Sequence, residues 1–387
     1  MKKNFRTILL LILGLSLLMT LLGGCKKEEE QASEVIEESI TKETVVEPIE
    51  TSQQDSKKEE SSEPKKEESS QAPVEEAKKD PNQDPNMNPL TGEIEDHPVA
   101  NKRTVAFMIN NIWVAVPQVG VSEADIIFEA LVEGGITRMM CIYQDIPDNI
   151  VIGSVRSLRH NYIDFAAGYD AIIAHCGCSN LATDALARRD YDDIEAISWA
   201  GDLFYRDDWR MDNMGYEHSL MTTGDAINGF LENDANYRTE HEADYQCNMV
   251  FSEDPKVSGG DVKTNVDVDF GSDKHTYFTF HAETNDYTAV EYDEPYIDDA
   301  TDEEVHFKNI VVVQTDVWVC DDAGHQDMTL TGTGDGWFCV NGVAAPITWS
   351  RTDEDAQFVY TYLDGTPVTF GVGRTYIAIV RNDGGLN

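Results

Sequence analysis

The chain has 387 residues, with 29 basic against 72 acidic side chains and a formal net charge of −43. Charge of that sign and size repels nucleic acid and anionic lipid head groups, so neither is expected as a partner of the folded surface. The length suggests more than one folded unit.

Residues 1–24 read as an export signal. Lys2, Lys3 and Arg6 form a basic start, and an apolar run from Ile8 to Leu22 follows, broken only by Gly14, Ser16 and Thr20. The run is short for a membrane-spanning helix and ends in small residues, which is the pattern of a secretory signal peptide. Leu22-Gly23-Gly24-Cys25 resembles a bacterial lipobox. That implies cleavage before Cys25, a diacylglyceryl group on its sulfur, and anchoring at the outer face of the cytoplasmic membrane. Residues 25–87 are rich in Glu, Lys, Ser, Gln, Asp and Pro and contain no Trp, Tyr or Phe. Such a segment cannot bury enough apolar surface to offset its chain entropy, so a disordered tether is expected. The acidity is not confined to it: from His97 onward there are 17 basic and 50 acidic residues. Solubility accounts for that excess. No acidic cluster has the loop spacing of a calcium hand.

Residues 88–245 predict an α/β domain. Asn88-Pro-Leu-Thr-Gly92 reads as a turn closing the tether, and Arg103–Asn110 as a first strand. Two apolar runs, Ile126–Glu133 and Ile136–Gln144, flank Gly134-Gly135 and predict a hairpin with a two-residue turn. A helix over Ser122–Val132 stopped by glycine is the competing assignment. Ile150–Val155 and Ala171–His175 predict two strands, read as parallel neighbours that send both following loops to one sheet edge. Open α/β sheets bind ligands at such an edge. Between them Ser157 is placed to cap a helix carrying Leu158, Tyr162, Phe165, Ala166 and Tyr169 at helical spacing. Ser179 or Asn180 is placed to cap the next helix. Asp190–Ser219 reads as a long surface loop, and Thr223–Leu231 as one more helix. Residues 246–387 alternate as strands, with turns at Asp321-Asp322-Ala-Gly and Asn341-Gly342, and predict a small mostly-β domain. The fold class is therefore an α/β N-terminal domain with a partly parallel sheet, followed by a small mostly-β C-terminal domain.

Several runs, taken together, resemble the YerB-like lipoproteins of Gram-positive bacteria, which carry a domain of unknown function in two parts. They are Asn88–Gly92, Ala124-Asp125, Phe128–Arg138, Ser154-Val155-Arg156-Ser157 and Ala174-His175. Asn309–Val313, Gly332-Thr-Gly334 and Trp349 fit as well. The resemblance implies lipoprotein export and the two-part architecture, and no reaction, ligand or catalytic residue. Cys176-Gly177-Cys178 departs from the family loop.

Arg138, Arg156, Ser157, Arg159 and His175 are the candidate ligand-binding residues. In a body so poor in cations, Arg156, Arg159 and His160 stand within five positions. Arginine forks recognise phosphate or carboxylate, and amides at a helix start add to an anion seat. The structural alternative is pairing with nearby carboxylates such as Asp164 and Asp170. For a hydrolase or transferase acting on the cell wall, His175 is the candidate base. Ser157 or Ser179 would be its nucleophile, and Asp170 or Asp164 its orienter. No Gly-x-Ser-x-Gly elbow is present, and a buried structural histidine is the simpler reading. Cys141, Cys176, Cys178, Cys247, Cys320 and Cys339 remain on an oxidising face of the membrane; Cys176 and Cys178 read as structural thiols or as a disulfide with Cys247 or Cys141. Neither a metal nor a cofactor is called for. Glu129 and Glu133 are an acid/base alternative or partners of Arg138. Trp199, Tyr205, Trp209 and Tyr216 either stack on sugar rings or pin the long loop. The expected function is non-enzymatic binding of an anionic envelope ligand, with a structural or assembly role beside another envelope protein as a further alternative.

Overall fold

The structure, a computed structural model, describes residues 84–387. The expected signal peptide, Cys25 and nearly all of the tether lie outside them. Among the described residues no helix is long and apolar enough to cross a membrane.

The first strands carry the main sheet. β1 (Val105–Asn111), β2 (Ile126–Leu131) and β3 (Thr137–Tyr143) are buried at every position. A strand buried throughout is covered on both faces, and the alternation of side chains separates the two covers. Phe107, Ile109, Ile127, Met139 and Cys141 enter one core. Ala106, Met108, Phe128, Ala130 and Met140 enter another on the opposite face. β2 and β3 form the antiparallel hairpin the apolar runs predicted. Its loop is longer than two residues: Glu133–Gly135 makes a single 3-10 turn closed by Val132 N donating to Ile136 O at 2.8 Å. Gly134 and Gly135 both take left-handed φ, at 72° and 76°, which side chains with a Cβ resist.

β4 (Val151–Gly153) overturns one expectation. It lies outside the main sheet and pairs antiparallel with residues 221–223. α1 (His160–Ala167) then covers the second core face, where Phe165 stacks on Phe128 at 4.9 Å. α1 starts later than expected: Arg159 holds the N-cap position, no side chain caps it, and Ser157 precedes the helix. β5 (Ile172–His175) follows, wholly buried, and its parallel neighbour is β1. Seven consecutive buried residues in β1 offer β5 far more apolar surface than the three-residue β4.

α2 (Asn180–Arg189) has the predicted cap, with Ser179 Oγ accepting from Ala182 N at 3.1 Å. The stretch read as one long loop is more ordered than that. It contains β6 (Asp193–Glu195), parallel to β5; β7 (Phe204–Arg206); and α3 (Asp208–Asn213). β8 (Leu220–Thr223) joins β4 and β7 in a three-stranded sheet and runs into α4 (Gly224–Asn233), capped by Thr223.

The C-terminal region is mostly antiparallel. β9 (Asn265–Asp269), β10 (His275–His281) and β11 (Asp286–Glu291) form the centre of a second sheet. β12 (Asn309–Thr315), β13 (Gly332–Val340), β14 (Val343–Arg351) and β15 (Thr375–Arg381) enter the main sheet instead. The β13–β14 turn is Asn341-Gly342, with φ of 53° and 72°, as the dipeptide predicted. β15 lies parallel to both β2 and β12, so the N-terminal α/β region and the C-terminal β region share one 11-stranded sheet.

A buried ionic cluster joins the two sheets. Lys274, just before β10, lies between Glu129 of β2 and Glu291 of β11, with exposures of 5%, 0% and 2%. Glu129 also accepts from Asn111 Nδ2 and Thr137 Oγ1, at 3.0 and 2.5 Å, and from the Tyr376 hydroxyl. Burial works against the charged amine of Lys274, yet Glu129 and Glu291 outweigh it and hold the amine above its ordinary range. Burial, and then the charge of Glu129, push Glu291 up to about 8.

Removing one member strands the others in a dry interior. Glu129→Ala is therefore expected to cost about 3–5 kcal/mol in urea unfolding. A carboxyl whose folded pKa is raised holds an extra proton in the native state, so its contribution falls as pH rises from its unfolded value to its folded one. Glu291→Gln should accordingly gain stability relative to the parent between pH 4.5 and about 8. Parallel pH profiles for the two proteins would contradict this.

Candidate functional site

Although β4 and β5 are not neighbours, the loops that follow them meet. Arg156 N donates to Met108 O of β1 at 2.9 Å, and Cys176 N donates to Arg156 O at 3.0 Å. Leu158 N donates to Gly177 O at 2.9 Å, and Ser179 N to Leu158 O at 3.1 Å. The 155–158 segment thus runs as an extra strip between the end of β1, to which Val155 is bridged antiparallel at Ile109, and the loop after β5, to which Leu158 is bridged parallel at Cys178. The edge predicted to hold a site exists, built by the loop rather than by the strands.

Three arginines gather there. Arg138 stands on β3 opposite Asn110 of β1, and its Nη1 donates to Ser157 O at 2.5 Å. It is 5% exposed. Burial, and then the like charges of Arg159 and Arg156, push it down to about 10. Among the described residues no carboxylate reaches ion-pair distance of its guanidinium, and the Ser157 carbonyl is its one hydrogen-bond partner. Arg159 is held by Glu133 through Nε–Oε1 and Nη2–Oε2 contacts of 2.5 and 3.2 Å. Burial pushes Glu133 up, but the hydrogen bond and charge of Arg159 outweigh it, and the carboxyl lies below its ordinary range. Arg156 Nη2 meets Glu217 Oε2 at 3.0 Å, while its Nε is buried without a partner. His218 sits beside it and hydrogen-bonds Asn110 Nδ2 through Nδ1 at 2.7 Å. Burial and then Arg156 lower its pKa, consistent with a neutral ring accepting from the amide.

Ser157 contributes its carbonyl, not a helix cap. Its Oγ lies beside Gly177, where an added Cβ would be 3.5 Å away. His175 is 1% exposed, and acceptors face both ring nitrogens: Gly177 O at 3.0 Å from Nδ1 and Asp193 Oδ2 at 3.0 Å from Nε2. Both nitrogens already face protein oxygens, and no serine hydroxyl is hydrogen-bonded to either. The expected orienters are elsewhere. Asp170 stands before the opposite end of β5, roughly 16 Å away by strand rise. There Arg238, His241 and Arg103 surround it, and despite burial they hold its carboxyl well below the usual range. Asp164 is bonded by Arg189 at 2.6 Å.

The thiols are free. Cys141, Cys176, Cys178, Cys247, Cys320 and Cys339 form no disulfide, which overturns the pairing with Cys247 or Cys141. Burial and Glu195 raise Cys176, against Arg206 and Arg156. Among the described residues no three His, Cys, Asp or Glu side chains converge as a metal site. Glu129 is committed to the inter-sheet cluster, and Glu133 to Arg159, so they make no glycosidase pair. Sequence reading missed Arg206, Glu217 and His218. Pairing of β7 with β8 brings their segment to the site, and no local pattern announces a partner 61 residues away.

Residues 90–238 match the description "Protein of unknown function (DUF3048) N-terminal domain", and residues 266–377 match the C-terminal domain of the same description. "Putative lipoprotein YerB" of Bacillus subtilis is 29% identical over 296 residues, 76% of this chain and 85% of that one. A crystal structure of the YerB protein from Bacillus subtilis matches with a TM-score of 0.66 at 29% identity, covering 76% of this chain and 96% of that one.

A buried guanidinium without a carboxylate is poorly spent on stability. Replacing Arg138 with Met should change the unfolding free energy by less than about 1 kcal/mol, or raise it. Arg189→Met, which strips Asp164 of its partner, should cost about 3 kcal/mol in the same urea titration. An Arg138→Met loss as large as that of Arg189→Met would mark Arg138 as structural.

Proposed function

This chain belongs to the DUF3048 family, both of whose parts it carries, and from that premise we propose that it is a lipid-anchored envelope protein that binds an anionic ligand at Arg138, Arg156 and Arg159. The observation that carries the reading is Arg138, a nearly buried guanidinium with one carbonyl partner and no carboxylate, in a chain with a net charge of −43. Arg103, Arg188, Arg189, Arg210, Arg238 and Arg381 each pair with a carboxylate, and Arg351, also buried without one at ion-pair distance, is held by the carbonyls of Ala356, Asp164 and Glu354. Where acids are so plentiful, an unpaired buried cation supports an anion supplied from outside. Arg156 adds an unsatisfied Nε at the same place, and Glu217 is the exposed group an incoming phosphate or carboxylate would displace.

Anchoring rests on Leu22-Gly23-Gly24-Cys25 and on the lipoprotein description of the Bacillus relative. In this reading residues 1–24 are removed, Cys25 carries the lipid, residues 25–87 hold the body off the outer face of the membrane, and the wall side supplies the ligand. No observation favours the hydrolase alternative, since both nitrogens of His175 are occupied.

Titration of the protein with a glycerol-phosphate polymer, and separately with a wall stem peptide bearing free carboxylates, tests the reading. Saturable binding to one of them, weakened by salt and reduced about tenfold or more by Arg156→Ala, is expected. Binding that ignores Arg156→Ala and Arg138→Met would overturn the site. Release of new wall fragments, lost in His175→Ala, would restore the enzyme.

A further inference from the structure

β7 has two outlets. Its side chains alternate, so Tyr205 leaves the small three-stranded sheet on one face and Arg206 on the other. Arg206 lies over the Tyr216 ring at 3.9 Å and reaches toward Cys176, which Arg156 also approaches. Tyr205 opens into a different place, a cavity of about 690 Å³ that shares no lining residue with the arginine cluster. The volume is that of a ligand cleft.

The cleft has an aromatic wall. Trp209 of α3 is 60% exposed and Tyr205 is 43% exposed, and both line it together with Met221. Large rings held in water beside a cavity gain by stacking on a flat, partly apolar ligand face. The rest of the lining is polar and acidic, with Asp207, Asp299 and Glu123. The lining contains one cation, Arg210, and that side chain is buried and taken by Asp299 at 2.7 Å and Pro117 O at 2.6 Å. The cleft therefore repels anions and offers acceptors to hydroxyl donors.

The floor is pre-formed. Asp298 is fully buried and accepts from Gly120 N, Ser122 N, Ser122 Oγ and Ala300 N, at 2.8, 2.8, 2.6 and 2.9 Å. These bonds tie the 118–123 loop to the 298–301 loop before any ligand arrives, which lowers the ordering cost of binding.

We infer that the cleft lined by Tyr205, Trp209, Asp207 and Asp299 is a binding site for an uncharged saccharide. A pyranose has an apolar ring face for the two aromatics and a rim of hydroxyls for the carboxylates. The lack of a free cation sets this site apart from the arginine cluster, whose ligand is anionic. One chain of alternate residues on β7 thus serves two sites of opposite electrostatic preference.

The test is isothermal titration of the full folded chain with two uncharged probes, the β-1,4-linked N-acetylglucosamine tetramer and cellotetraose. Saturable binding of at least one is expected, nearly insensitive to salt. Trp209→Ala should weaken it about tenfold and Trp209→Phe less, while Arg156→Ala leaves it unchanged. Tyr205→Ala provides a second variant if Trp209→Ala unfolds. Absence of saturable binding of both probes at millimolar concentration would overturn the assignment. So would wild-type affinity in folded Trp209→Ala and Tyr205→Ala proteins, or displacement of the saccharide by a glycerol-phosphate polymer.

Discussion

A single buried amine organises this molecule. Lys274 sits between Glu129 of the main sheet and Glu291 of the second sheet, and both carboxylates are almost wholly removed from water. Burying an amine with two carboxyls is costly unless every lone pair and proton finds a partner, and the cost is lessened here because Glu291 is pushed up to about 8. Here they do: Asn111, Thr137, Thr276 and Tyr376 supply the remaining hydrogen bonds. The cluster acts as a register device as much as a source of stability. Glu129 can meet Lys274 only if β2 presents it to the face where Ile127 and Leu131 pack on the second sheet. Slipping the strand by one residue would turn it to the helix face.

That register also places the arginine site. Thr137 donates to Glu129 on one face of β3, so the next residue, Arg138, must point to the other. There it emerges beside α1 and the 155–158 strip and finds the Ser157 carbonyl. The site is thus coupled geometrically to the inter-sheet core through adjacent residues of one strand. Its chemistry depends on what the surroundings withhold. Glu133 and Glu217 pair with Arg159 and Arg156, and among the described residues no carboxylate reaches ion-pair distance of Arg138. In a body with such an acidic excess, that omission carries the argument for a ligand.

Much of the local structure could be read in the chain. The β2–β3 hairpin followed from two β-branched, apolar arms around Gly134-Gly135, and the cap at Ser179, one of two candidates there, from a side chain that accepts from an amide three residues on. The loops carrying Arg156 and His175 do meet, through Cys176 N donating to Arg156 O, though not because β4 and β5 are neighbours. The misreadings share a cause. β4 pairs with β8 about 70 residues later, and Ser157 looked like a cap because helical spacing already included Leu158. In each case a distant partner outweighed a local pattern.

The sequence by itself determined the economy of charge and the order of local elements: an acidic body, an α/β region and a β region after it. These are sums and short-range periodicities, and they survive any arrangement of the elements. Tertiary structure alone decided that β15 enters between β2 and β12 and merges both regions into one sheet. It also decided that Glu129 is core rather than catalytic, and that of three nearby arginines only Arg138 lacks a carboxylate. Those outcomes depend on which groups meet across the sheets. Burial makes each such meeting far more consequential than it would be in water, because an unpaired charge away from solvent has nowhere else to turn.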